Sequence, residues 1–318
     1  MIHYSSKSKG EMGKKSMEII ATAESALQAE NLLRAGIDTL YAGNSRFGLR
    51  LPTSFSLSEL EELTKLAHSY EKEIMVPVNG LMHNEHLEDL PEFLQALSEM
   101  KVDKIACGDP GVILTLEELE LDLPYVYDAQ TFVTSAEQID FWVKQGAVGA
   151  VLARELTRPE VSEISQKLSV PVEMLVYGPT CIHQSKRKLV TNYYNIVELK
   201  EDASKERGLY LREPNDPESM LPIYEDENGT HIFSSEDISL MPYLAELYAA
   251  GLNTWKLDGI LMHGADFVEI AKLFVEARDA LLADGFVAET FVNRLAELTP
   301  KTRMVDAGFY LKDPNEVK

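Results

Sequence analysis

Cysteine is nearly missing from this 318-residue chain: there are two, Cys107 and Cys181, far apart and in no C-x-x-C pair. Two scattered thiols cannot build a disulfide framework, a cysteine-rich zinc site or a four-ligand iron–sulfur cluster, and they suit a reducing cytoplasm. Positive charge is also scarce, with 30 Lys and Arg against 52 Asp and Glu and a net charge of −22. Such a surface repels phosphates, which excludes a broad nucleic-acid face and leaves only local contacts. No apolar run reaches membrane-spanning length, and the polar opening MIHYSSKSKGEMGKKS lacks the apolar core of a secretory signal. Residues 1–16 therefore read as a disordered leader or an addition, with order beginning at Met17. The usual nucleotide signatures are missing too: no G-x-G-x-x-G follows the first strand candidate and there is no P-loop, which weakens the alternative of a doubly wound open sheet.

What is present alternates. Hydrophobic residues make up 45% of the chain, enough for a large core. Short β-rich runs occur at about 18–22, 38–42, 74–78, 103–107, 125–128, 148–152, 172–177 and 254–258. Helical periodicity fills most gaps between them, as in Leu57, Leu60, Leu63, Ala67 and Tyr70. Eight such units predict an α/β fold, a (β/α)8 TIM-type barrel over 17–284. An insertion at about 178–234 follows strand seven, a helix is expected from near Ser235, and 285–318 is expected as a helical tail packed on the barrel.

In a barrel the chemistry sits in the loops after the strands. Those loops carry Tyr41 and Arg50, Asn79 and His83, Asp109, Asp128 and Gln130, Arg154 and Glu155, Cys181 and His183, and Lys256 and Asp258. Arg50, Arg154 and Lys256 follow three different strands. Cations converging in an acidic protein need an anion, and a guanidinium offers a carboxylate two parallel bonds. A small dicarboxylate or phosphate ligand is the expectation, with Glu155, Asp258 and Asn79 orienting the cations. The pair in HNEH, His83 and His86, lacks a third ligand, so no metal site is expected. Cys181 has two readings: a nucleophile activated by His183, or a residue that acts merely as a small buried side chain, the second being favoured. Lys186, Arg187 and Lys188 also read as a solvated turn.

The stretch VEMLVYGPTCIHQSKRK resembles the signature of the peptidase U32, or collagenase-like protease, family, with Glu173, Gly178, Cys181, Ser185 and Arg187 in motif positions. GIDTLYAG, RFGLR, VNGLMHNEHLEDL, DAQTFVTSAEQIDFW, LARELT and SSEDISLMPYLAELYAAGLNTWKLDG extend the resemblance over nearly the whole chain. Two departures stand out. The family's second motif cysteine falls at Lys188, and its later cysteine-rich segment is reduced to ERGLYLRE, keeping Arg207 and Gly208. The resemblance is to the short form of the family, which implies a component of prephenate-dependent hydroxylation of a tRNA wobble uridine, with no iron–sulfur cluster of its own. It implies a longer, cysteine-bearing paralogue as hetero-oligomeric partner, tRNA reached through that partner, and no membrane. The expected site set is Cys181, His183, Glu155 and Asp258 as catalytic groups and Arg50, Asn79, Gln130, Arg154, Arg187 and Lys256 as substrate-binding groups. A cysteine- or metal-dependent peptidase is the alternative.

Overall fold

The computed structural model describes residues 17–301, 303–313 and 315; the expected leader, 1–16, lies outside them. Strand and helix alternate from the start: β1 (Glu18–Thr22), α1 (Ala26–Ala35), β2 (Thr39–Tyr41), α2 (Leu57–Ser69), β3 (Glu73–Pro77), α3 (Asn84–Leu87), α4 (Leu90–Glu99), β4 (Lys104–Cys107) and α5 (Pro110–Glu118). The alternation continues through β5 (Tyr125–Tyr127), α6 (Ala136–Lys144), β6 (Gly149–Val151), α7 (Arg158–Lys167) and β7 (Val172–Ser185). Serines set several helix starts. Ser56 and Glu59 form a reciprocal capping box on α2, and the Ser25 and Ser135 hydroxyls accept from Gln28 and Gln138 N–H on α1 and α6.

After β7 the chain leaves the barrel. It forms α8 (Leu189–Ile196), β8 (Leu209–Glu213), β9 (Asp216–Asp226) and β10 (Gly229–Ser239), then returns through α9 (Leu244–Ala249), β11 (Thr254–Leu257) and α10 (Gly264–Leu282). The helix expected from near Ser235 is a correction: Ser235 lies inside β10, which pairs antiparallel with β7 through Ser239↔Tyr177. Pairing with an existing strand edge outweighs the local helix-start signal of Ser-Ser-Glu-Asp. The final segment forms α11 (Ala288–Leu298) and β12 (Met304–Asp306). Phe291 and Leu295 are buried, β12 pairs parallel with β10, and Arg303 forms a buried ion pair with Asp237.

Parallel pairing runs β1–β2–β3–β4–β5–β6–β7, and β11 pairs with both β7 (Thr254↔Glu173) and β1 (Ile20↔Lys256). Eight strands thus close a ring, a TIM-type barrel. The main core lies between this ring and its helices, where Ile19, Leu40, Ile74, Ile105 and Trp255 are fully buried. Alternate residues point inward. Ile20, Met75, Ala106 and Val126 fill the barrel's middle with Tyr41, while Glu173, Lys256 and Asp128 open above this plug into the mouth.

Candidate functional site

The C-terminal mouth of the barrel holds a cavity of about 360 Å3. Of the residues picked from sequence, Arg50, Asn79, Gln130, Arg154, Glu155, Cys181, His183, Lys256 and Asp258 all line it. Tyr41, Asp128, Glu173 and Gln184 line it as well.

Arg50 comes from the loop after β2, which is fastened from outside the barrel: Lys205 Nζ donates to the Leu51 and Pro52 carbonyls, and Asn228 Nδ2 donates to Ser45 O at 2.7 Å. Among the described residues Arg50 bonds only neutral amides, donating from Nη1 to Gln184 Oε1 (2.7 Å) and from Nη2 to Gln130 Oε1. Gln130 Nε2 donates in turn to Asp128 Oδ1 (2.9 Å), and Asp128 Oδ2 accepts from Asn79 Nδ2 at 2.6 Å. Asn79 thus reaches Arg50 through two intermediaries rather than by direct contact. Its Oδ1 accepts from Leu49 N–H at 3.0 Å, which also shapes the Arg50 loop.

Arg154 donates to Pro179 O at 2.6 Å and lies 3.4 Å from Asp258 Oδ2. Asp258 is placed by close packing, because a Cβ on Gly178 would stand 2.4 Å from the Asp258 carbonyl and φ at Gly178 is +128. Only glycine fits there. Glu155 is exposed at the rim, and its side chain makes no hydrogen bond or ion pair among the described residues, so it does not orient Arg154. Arg187 is a correction to the expected set: it is exposed, lies outside the cavity, and its carbonyl accepts from Thr230 Oγ1. Among the described residues no cluster of His, Cys, Asp and Glu has a metal-holding arrangement.

Cys181 does not have the partner expected for it. Its Sγ donates to the backbone oxygen of His183 at 3.2 Å, while the His183 side chain is exposed. The imidazole on the same side of the sheet as the thiol is that of His231, on β10. Register explains this: His231 pairs with Gln184 and Phe233 with Cys181, and the bulge at Ile182 brings Cys181 and Gln184 to one side. His231 is fully buried, with Nε2 2.9 Å from Asp226 Oδ1. Its other ring nitrogen, Nδ1, is buried without a hydrogen-bond partner, so its interaction with the thiol falls short of a full hydrogen bond. Burial raises the Cys181 thiol, but His231, Arg50 and Arg154 together carry it below the ordinary value. Burial lowers His231, and the Asp226 hydrogen bond reverses this, leaving it raised. Cys107, by contrast, is fully buried and pushed far up by burial and by Asp128.

Lys256 and Glu173 occupy the cavity floor, 5% and 4% exposed. Lys256 Nζ lies 3.9 Å from Glu173 Oε1 and 2.9 Å from the centroid of the Tyr41 ring. Burial holds the Lys256 ammonium down at about 8 against the pull of Glu173 and Asp258. The same burial raises Glu173 despite Lys256. This site can receive an anion at two guanidiniums, offer an amine at its floor, and present a thiol on one wall.

The family model for peptidase family U32 matches residues 24–318. The chain is 34% identical to the tRNA hydroxylation protein P2 of Bacillus subtilis (strain 168), over 94% of this chain and 99% of that protein. It is 24% identical to tRNA hydroxylation protein P1 of the same organism, covering 85% of this chain and 65% of the relative. With the tRNA hydroxylation protein P of Escherichia coli (strain K12) the identity is 25%, over 76% and 63%. The solved structure of the U32 peptidase Mk0906 resembles it with a TM-score of 0.47 and 16% identity, over 80% of this chain and 96% of that one. With a family match over residues 24–318 and a relative shared almost end to end, the chain belongs to peptidase family U32.

Proposed function

We propose that this protein is a component of tRNA wobble-uridine hydroxylation, whose barrel mouth holds a small carboxylate such as prephenate. The observation that carries the ligand part is Arg50, a guanidinium lining the cavity whose hydrogen-bond partners among the described residues are two neutral amides. A planar carboxylate completes its charge pairing. Relatives named for tRNA hydroxylation carry the process. A net charge of −22 argues that tRNA is reached through a partner. The longer paralogue is the proposed partner, since P1 and P2 are distinct proteins in one organism. Tyr193, Ile196, Tyr210 and Leu211, exposed apolar side chains on α8 and β8, give the excursion a surface suited to docking. No helix among the described residues is long and apolar enough to cross a membrane, and the cytoplasm is the proposed location.

The test is complementation. In a strain lacking this gene, tRNA hydroxylation measured by mass spectrometry of nucleosides returns with the wild-type chain and fails to return with Arg50→Ala or Arg154→Ala. Full restoration by both variants would refute the ligand reading.

A second reading, a cysteine-dependent hydrolase, is favoured by one observation, the buried Asp226–His231 pair on the same side of the β7–β10 pairing as Cys181. Cleavage of gelatin or casein that is lost in both Cys181→Ala and His231→Ala would establish it.

A further inference from the structure

The cavity floor carries an arrangement that anion binding alone does not require. Lys256 Nζ makes no hydrogen bond among the described residues; its neighbours are the Tyr41 ring and, at 3.9 Å, Glu173 Oε1. Glu173 Oε2 is buried and has no hydrogen-bond partner. Arg50, bonded to neutral amides, already offers a positive charge to a carboxylate at the rim, with Arg154, itself 3.4 Å from Asp258, as the second guanidinium. A third cation sunk to 5% exposure adds little attraction and costs desolvation. Burial pushes Lys256 and Glu173 in opposite directions, each toward its neutral form. With Lys256 held down at about 8, a minor fraction of it is a free amine near neutral pH, at the bottom of a cleft above the apolar plug of Ile20, Met75 and Val126.

We propose that Lys256 forms a Schiff base with a 2-oxo carboxylate whose carboxylate is held by Arg50 and Arg154, and that Glu173 carries the proton. The inference rests on the anion-site reading above and deepens it. The neutral Nζ attacks the carbonyl carbon, a C–N bond forms, and the C=O electron pair moves to oxygen. Oxygen takes the proton held by Glu173 and becomes a hydroxyl; the Glu173 carboxylate then takes one proton from nitrogen and returns it to that hydroxyl, which departs as water, and takes the remaining N–H proton to leave the neutral imine. One amine and one ketone give one imine and one water, so no oxidant or reductant is consumed. A 2-oxo acid fits the donor set because its carboxylate and carbonyl are adjacent, one matched to a guanidinium and the other to an amine.

The experiment is reductive trapping of the full chain with sodium cyanoborohydride, which reduces imines, in the presence of pyruvate, phenylpyruvate or prephenate. Intact mass and peptide mapping locate the adduct, and melting curves with the same compounds report binding separately. The expected result is one adduct per chain on Lys256, none in Lys256→Met, and trapping at least about tenfold slower in Glu173→Gln. Circular dichroism of both variants checks that they are folded, and Lys256→Arg provides a charged variant that cannot form the imine. A 2-oxo acid that shifts the melting curve but leaves Lys256 unmodified overturns the Schiff base and leaves the anion site standing. Absence of both shift and adduct with all three acids overturns both. An adduct that persists at the same rate in Lys256→Met places the chemistry on another lysine and overturns the assignment.

Discussion

Arg50 and Gln130 meet across the barrel mouth through a side-chain hydrogen bond, and both backbones are left-handed, with φ of +52 and +56. Neither residue type favours that region, and each such residue costs roughly 1 kcal/mol or more. Strain at two partners in one contact persists because the surroundings over-determine it. Asp128 holds Gln130 from below, and Gln184 holds Arg50 from the side. The guanidinium is thereby set in place before any ligand arrives. Gln130→Ala removes the link between Asp128 and Arg50, and anion affinity should fall about tenfold, the equivalent of one net hydrogen bond. Calorimetry with a carboxylate that binds the wild type checks this, and an unchanged Kd would mean that Gln184 alone positions Arg50.

The thiol on the cavity wall gives a second expectation. Cys181 should alkylate with a pH midpoint below that of an ordinary thiol, because His231, Arg50 and Arg154 together outweigh its burial. His231→Ala should move the midpoint up and slow iodoacetamide labelling at neutral pH, whereas His183→Ala should leave both nearly unchanged. Equal slowing in the two variants would show that the exposed His183 does act on the thiol.

Lys256 makes a prediction about stability with a definite sign. Its ammonium is held down at about 8 from an ordinary 10.5, so below pH 8 the folded protein carries a buried charge at a cost of up to about 3 kcal/mol. Between those values the unfolded chain binds more protons than the folded one, so this cost is relieved as pH rises. The double variant Lys256→Met/Glu173→Gln should therefore melt higher than wild type at pH 7, with the advantage shrinking from pH 8 upward. Replacing a buried pair by neutral groups of similar volume commonly stabilises. Melting curves across pH 6 to about 10 decide the matter. A variant less stable than wild type throughout would show the pair to be a net structural support.

The ring of eight strands was readable because each barrel strand is a short β-rich run and most intervening stretches keep a 3.6-residue stripe. Burial on both faces leaves little choice in such segments. The excursion is not legible as strands, since β8 is largely exposed, β10 is polar in sequence although mostly buried, and its order depends on the edge of β7. One signal is present: the Asn228-Gly229 dipeptide, whose Asn228 forms with Glu227 the two-residue turn that joins β9 to β10. That turn implies a strand after Gly229 with His231 opposite Tyr224, but not the pairing of His231 with Gln184 on β7. His231 and Asp226 escaped for the same reason, because nothing in local spacing ties them to Cys181. Arg187 was carried into the site by its place in a motif, whereas the strand ending at Ser185 has already left the mouth by that point.

The account's central claim is that the barrel mouth is an anion site built on Arg50 and Arg154, and a thermal-shift series measures it most directly. Prephenate, related dicarboxylates and phosphate are titrated against the wild type, Arg50→Ala and Arg154→Ala. At a hundredfold excess over Kd, binding stabilises the folded state by about 2.7 kcal/mol, which a melting curve resolves. The account predicts a concentration-dependent rise with at least one dicarboxylate, much reduced in each variant while their unliganded melting temperatures stay close to wild type. No rise with any anion, or a rise that survives both substitutions unchanged, would contradict it.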